Sequence, residues 1–112
     1  MALIVHEVAL QMLAQIKPII DRVRRHDRNL ADHMQRSAQQ SFLNIAEAQS
    51  AYGRNEIAKF TNALCEAREA RAAVKVAVAW GYVTAAECRS ADEDLDRMGG
   101  MLWGLTHRKK QA

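Results

Sequence analysis

The chain has 112 residues and a mass of 12.6 kDa, enough for one hydrophobic core and too little for two. Twenty alanines, one proline and five glycines, with 49% hydrophobic and 26% charged residues, predict an all-helical folded protein and exclude a disordered one. A net charge of +3 is mildly basic, far short of a polybasic nucleic-acid-binding tail.

The first helix is predicted over residues 3–25. Val5, Val8, Met12, Ile16, Ile19 and Val23 recur at three- and four-residue steps, which places them on one helical face. Leu10, Leu13 and Ile20 widen that face and suggest burial on more than one side. Pro18 lies inside the pattern and should kink the helix, because it lacks the N–H of one backbone bond. The polar residues His6, Glu7, Gln11 and Gln15 make this segment amphipathic, unlike a signal peptide. No run of 18 apolar residues occurs anywhere, so no membrane span is expected.

The second helix is predicted over 30–52, with Asn29 as its N-cap and Asp32 near its positive end. Leu30, Met34, Ala38, Phe42, Ile45 and Ala48 form its inward stripe, and Gly53 is expected to end it as a left-handed cap. Asn55 can cap a third helix over 56–80, whose stripe is Ile57, Phe60, Leu64, Ala67, Val74 and Ala77, with Val78 and Trp80 near the end. Gly81 stops it. Thr84-Ala85-Ala86-Glu87 is a capping box opening a fourth helix over 85–107. There Cys88, Ala91, Leu95, Met98, Leu102 and Leu105 keep a strict heptad seam. Four such helices with short links predict an antiparallel up-down-up-down four-helix bundle spanning residues 1–112 as one domain.

That seam leaves out Met101 and Trp103, which lie close to Gly99, Gly100 and Gly104. Glycine inside a helix costs about 1 kcal/mol relative to alanine. Gly100 and Gly104 share a face that could admit a neighbouring backbone, and Trp103 supplies apolar area. Gly100, Met101, Trp103 and Gly104 are therefore candidates for a subunit interface; the other reading is a wide core-facing helix.

Site chemistry is sparse. Helical bundles can hold di-metal centres through Glu-x-x-His motifs, but no Glu here is followed three residues later by His. The histidines, His6, His26, His33 and His107, fall on helix surfaces or ends. Glu66 and Glu69 interleave with Arg68 and Arg71 on the third helix, which reads as a solvated or intersubunit ion-pair face. Cys65 and Cys88 match no metal or disulfide spacing and read as two thiols in a reducing cytosol. No catalytic residue, metal or cofactor is expected, and the chain reads as a non-enzyme of the cytoplasm.

Charge should gather at the two ends of the bundle. One pole receives Arg22, Arg24, Arg25 and Arg28, offset by Glu87, Asp92, Glu93, Asp94 and Asp96 of the fourth helix; helix-end electrostatics accounts for most of this. The other holds Arg54, Lys59, Arg108, Lys109 and Lys110 against Glu7, Glu47 and Glu56, and is net basic. These nine cations are the candidates for RNA or DNA binding through counterion release. No aromatic residue is interleaved with them in sequence, so base stacking is not indicated.

Short motifs then suggest a family. Asn44-Ile45-Ala46-Glu47-Ala48 resembles the N-I-A-E-G signature of the four-helix-bundle proteins encoded in 23S rRNA intervening sequences, with Arg36 and Ala38 fitting its lead-in. Phe60, Ala63 and Glu69 fit part of its third-helix pattern, and Trp80-Gly81-Tyr82-Val83 resembles its L-G-Y-L. Arg97-Met98 and Leu102-Trp103-Gly104-Leu105 resemble its R-M-L-x-G-L ending. The sequence departs from the pattern at Gln40, Phe42, Ala48 and Cys65-Glu66. The accessory variability proteins of diversity-generating retroelements look similar, and Gly99 to Trp103 echoes their ending in scrambled order. The resemblance implies a homopentamer of bundles without known catalysis. For the retroelement branch it also implies binding to a reverse transcriptase and to nucleic acid. Asn44 and Glu47 match the signature, and a polar network there could set subunit register. The competing expectation is a protein-interaction scaffold without a nucleic-acid role.

Overall fold

Periodic apolar stripes this long can be buried only by packing the helices side by side. A computed structural model, which describes residues 2–108, shows that arrangement: α1 (Ala2–Arg24), α2 (Arg28–Ala48), α3 (Arg54–Ala79) and α4 (Ala85–Thr106). The bundle measures 51 × 21 × 19 Å. Each helix packs on its two neighbours in the ring α1–α2–α3–α4–α1, as an antiparallel up-down bundle requires.

The buried stripes of α1 and α4 fall where their spacing places them. Val5, Val8, Met12, Ile16, Ile19 and Val23 are buried on α1, and Cys88, Ala91, Leu95, Met98, Leu102 and Leu105 on α4. The seam between α2 and α3 is built differently. Ala31, Ser37, Ala38, Ser41 and Ala48 are buried on α2, and Ala63, Ala67, Ala70, Ala73 and Ala77 on α3. Small side chains let two helices approach closely, and this pair makes the most extensive contact in the bundle. The two buried hydroxyls stay satisfied within α2: Ser37 donates to the His33 carbonyl at 2.9 Å and Ser41 to the Ala38 carbonyl at 2.7 Å. Phe60, Met34, Ile45, Met98 and Leu102 fill the space these seams leave.

The helix ends correct several sequence expectations. The N-cap of α2 is Asp27, not Asn29: its extended backbone lets the carboxylate accept the Leu30 N–H at 3.0 Å, while Asn29 already lies inside the helix. Helix α2 ends at Ala48, four residues before the expected limit. Gly53 has the expected positive φ, +57°, but serves as the N-cap of α3 and not the C-cap of α2, so Asn55 falls inside α3. Gly81, at φ +77°, does stop α3. The Gly81 N–H donates to Val78 and the Tyr82 N–H to Ala77, both at 3.0 Å, which is a Schellman ending. The Thr84–Glu87 box forms in full: the Thr84 hydroxyl accepts the Glu87 N–H at 3.1 Å, and the Glu87 carboxylate accepts the Thr84 N–H at 2.9 Å.

Three residues placed inward by periodicity are exposed, namely Leu10, Ile57 and Trp80. Pro18 lies on the solvent side of α1, and the helix runs through it. Ala14, whose carbonyl loses its partner, is exposed as well, which makes the missing bond cheap. No helix among the described residues is long and apolar enough to cross a membrane.

Because the capping box supplies both ends of the α4 start, Thr84→Ala should lower stability by about 1 kcal/mol. The expected loss in Tm is about 4 °C, read by circular dichroism melting; an unchanged Tm would show that the box contributes nothing.

Candidate functional surfaces

Several of the chain's charges are committed to ion pairs between its elements. Arg71, on α3, donates through Nε to Asp92 at 2.8 Å and through Nη1 to Asp96 at 2.8 Å, clamping α3 to α4 across about one turn. A second contact from Nη2 to Asp92 at 3.2 Å makes that arm bidentate. The guanidinium holds the Asp92 carboxyl below its ordinary range, and the carboxylates raise Arg71 in return. Arg22 pairs with Glu87, tying α1 to α4. Glu87 sits low because the Thr84 backbone N–H and hydroxyl bond its charged form. Arg24 reaches Asp32 and, at 2.8 Å, Gln35 on α2. Lys59 pairs with Glu47 at 2.9 Å, and Arg108 with Glu56 at 2.9 Å.

This redraws the expected poles. Of the candidate nucleic-acid residues, Arg22, Arg24, Lys59 and Arg108 hold acidic partners within the chain. Arg25, Arg28 and Arg54 have none among the described residues. Lys109 and Lys110 lie outside the described residues. Asp92 and Asp96 serve the α3–α4 seam and not the arginine pole, since helical spacing turns them sideways. Asp94 is buried, one of its oxygens has no hydrogen-bond partner, and desolvation pushes its carboxyl up.

The Glu66/Glu69 pair does not bridge to Arg68 or Arg71. Both line a depression with His33, Arg36 and Ser37 of α2. Burial and a hydrogen bond with Glu69 raise the Glu66 carboxyl, partly offset by His33 and Arg36. Of the signature residues, Ile45 is fully buried in the core and Ala46 half-buried. Asn44 donates to the Gln40 carbonyl at 2.8 Å, and exposed Glu47 is held by Lys59 of its own chain.

Two grooves run along the α3–α4 seam. One, of about 350 Å³, is lined by Ala67, Arg68, Arg71, Leu95, Asp96, Gly99, Gly100 and Trp103. The other, of about 370 Å³, carries Val74, Lys75, Val78, Cys88, Arg89 and Asp92. Four cations thus face two carboxylates, and Arg71 occupies both carboxylates. Sequence reading missed this surface, although Arg68, Arg71 and Lys75 recur at three- and four-residue steps on one face of α3. It also missed that folding brings rings to cations. Trp103 is 51% exposed in the first groove and stacks on His107, with centroids 4.0 Å apart and planes 8° from parallel. At the other end His26 stacks on Tyr82 at 5.0 Å, one residue from Arg25.

On the opposite side, α1 and α2 enclose a groove of about 390 Å³ lined by Leu13, Ile16, Ile20 and Ala38, with Gln35, Gln39 and the Lys17–Asp21 ion pair at its rim. Exposed Leu10 lies one turn from Leu13, and exposed Leu43 one turn from Gln39. Of the interface candidates on α4, Met101 is half-buried against the core. Gly100 and Gly104 face open space, with no heavy atom within 4 Å of a Cβ built on either.

Comparison with known proteins agrees with this architecture. A family model described as 23S rRNA-intervening sequence protein matches residues 1–104. A crystal structure of a protein of unknown function from the S23 ribosomal protein family of Bacteroides thetaiotaomicron superposes with a TM-score of 0.84. It shares 22% identity, over 92% of this chain and 98% of that one. No curated protein matches the chain.

Two outcomes follow from these charges. Arg71→Ala strands Asp92 and Asp96 and should cost about 1–2 kcal/mol, discounted for partial exposure; a melting curve in low salt reads it. Asp94 has a raised folded pKa, so the folded state binds the proton more tightly than the unfolded state. Its burden is absent below the unfolded carboxyl pKa and grows as pH rises through the folded one. Asp94→Asn should therefore raise Tm at pH 7, with the gain shrinking toward pH 4. An equal gain at both pH values would show that charge is not the cause.

Proposed function

The chain belongs to the 23S rRNA-intervening sequence protein family, and we propose that it acts as a non-catalytic, self-assembling bundle that binds nucleic acid. The observation that carries this reading is the division of its surface. The α1–α2 side is apolar around Leu10, Leu13 and Leu43, whereas the α3–α4 side keeps an excess of cations over its carboxylates. Several carboxylates are spent on structure: Glu87, Asp92 and Asp96 each hold a neighbouring helix.

Self-assembly into a closed ring of five, which the motif resemblance implies, needs two different patches that fit each other. The apolar α1–α2 side is one. The ridge of α4 at Gly104 is the other, because that glycine is open to solvent and serves no packing inside the chain. It costs helix stability of about 1 kcal/mol relative to alanine, a cost that close approach of a second copy explains. Repeating the basic side around a ring multiplies the field that a polyanion meets. A nucleic-acid enzyme such as a reverse transcriptase is the protein partner this reading allows.

Light scattering on the purified protein should give a mass several times 12.6 kDa. Leu10→Glu with Leu43→Glu should reduce it to the monomer, and so should Gly104→Leu, which fills open space and leaves the helix intact. A monomeric wild type, or an oligomer indifferent to all three changes, would refute the assembly. Gel shifts at low salt with RNA and DNA test the second half, and no shift would leave a protein-interaction scaffold as the better account.

A further inference from the structure

Within the α3–α4 seam, one groove combines features that the fold itself does not use. Its cations are unequally engaged. Arg71 is fixed by Asp92 and Asp96, while Arg68 in the same groove, and Lys75 and Arg89 in the next, have no ion-pair partner among the described residues. Arg68 and Lys75 stand two turns apart on one face of α3, about 10 Å by helical rise. The groove also holds a half-exposed indole. Trp103 is covered on one side by the parallel His107 ring. A helical side chain leans toward the turn before it, and for Trp103 that turn holds Gly99 and Gly100. A Cβ built on Gly99 meets nothing within 4 Å, so the space beside the indole is open and bordered by glycine.

We propose that this α3–α4 face is a binding track for single-stranded nucleic acid, with Trp103 as the platform on which an unpaired base stacks and Arg68, Lys75 and Arg89 as its phosphate contacts. The inference rests on the nucleic-acid reading above and narrows its basic side to one groove with a named stacking platform. A base can lay its face on the indole in this groove only when it is unstacked and free of its complement, which favours a single strand over a duplex. Charge complementarity selects a polyanion, because the unpaired groups along both grooves are all cationic. His107 closes the far side of the indole and holds its plane: its Nδ1 lies 2.9 Å from the Trp103 carbonyl and 2.9 Å from the Thr106 hydroxyl. Asp96, on the groove wall, keeps Arg71 turned inward and so leaves Arg68 as the cation beside the ring.

The chain has two tryptophans, so Trp80→Phe leaves Trp103 as the sole tryptophan, which can be excited selectively over the two tyrosines. In that background, 12-nucleotide oligo(U) and oligo(dT) should quench Trp103 fluorescence in a saturable, salt-dependent manner, and the matching duplex should not. Removing the ring by Trp103→Ala should weaken oligonucleotide binding about 5- to 150-fold, measured by anisotropy of a labelled strand. Gly99→Leu fills the slot without altering charge and should weaken binding comparably while the thermal melt is kept or raised, which separates the site from the fold. Replacing Arg68, Lys75 and Arg89 together by Ala should flatten the slope of log affinity against log salt by about 2. Binding that survives Trp103→Ala and Gly99→Leu unchanged would overturn this site and leave the nucleic-acid function standing elsewhere on the bundle. No binding of any oligonucleotide at low salt would overturn both. Trp103 shielded from acrylamide in the free protein, and exposed only on dilution to monomer, would show a second copy on this face and would also overturn the proposal.

Discussion

Alanine and serine line the seam between α2 and α3, and the closeness they permit governs the placement of every larger side chain. A helix pair whose buried residues include Ser37, Ser41, Ala63, Ala70 and Ala77 leaves little volume between its axes. The bulk of the core must then come from Phe60, from Met34 and Ile45 of α2, and from the longer residues of α1 and α4, such as Met12, Ile16, Leu95 and Met98. A single large residue on that seam would push the two helices apart and open the opposite one. The stability of the bundle therefore depends on what α2 and α3 lack as much as on what α1 and α4 supply. The two buried serines fit this scheme because each returns its hydroxyl to its own helix and asks nothing of the partner.

With the core fixed by shape, charge holds the helices in azimuth. Arg71 cannot satisfy Asp92 and Asp96 together unless α4 presents both toward α3, and Arg22 meets Glu87 only if the start of α4 lies beside the end of α1. Lys59–Glu47 and Arg24–Asp32 do the same for α2 against its two neighbours. Each exposed pair is weak alone. Together they disfavour rotations of one helix about its axis, a motion that apolar contacts between Ala, Leu and Val resist poorly. Asp94 is the exception: it sits inside without a partner and weighs against the fold at neutral pH.

Sequence periodicity revealed the bundle and the inward faces of α1 and α4, because a residue's own helix decides those. It was less informative wherever a second helix decides. Asn29 and Asp27 are equally plausible caps in isolation; only the sharp return of the chain after Arg24 places Asp27 in the extended geometry that a cap requires. Ile57 fits the α3 stripe but lies within a turn of the helix start, where no neighbour covers it. Met101 looks spare beside a strict heptad seam, yet it is half-buried against the core. The expected charged poles failed for the same reason. Net charge was summed over helix ends, whereas pairing occurs across the sides, between residues 21 and 25 positions apart that no local pattern links. The candidate site was legible only in fragments: Gly99, Gly100 and Trp103 stood out as misfits in α4, and the cationic row on α3 was visible, but their meeting is a property of the folded seam.

Misfits of this kind have a physical meaning. Gly99, Gly100 and Gly104 weaken α4 and leave open space where alanine would fit without strain. Nothing inside the chain is repaid by their presence, so whatever retains them lies outside it. The three do not share one side: helical spacing sets Gly99 toward the α3 groove beside Trp103, and Gly104 toward the outer edge. Two different approaches are therefore indicated, one along the seam and one along the ridge. A flat ring fits the first, where an indole already lies parallel to an imidazole and an arginine stands unpaired. A second backbone fits the second, where the surface is bare. An apolar α1–α2 side facing away from both completes a bundle whose four helices present different chemistry in different directions, as a subunit must if one side is to close a ring while another stays open to a strand.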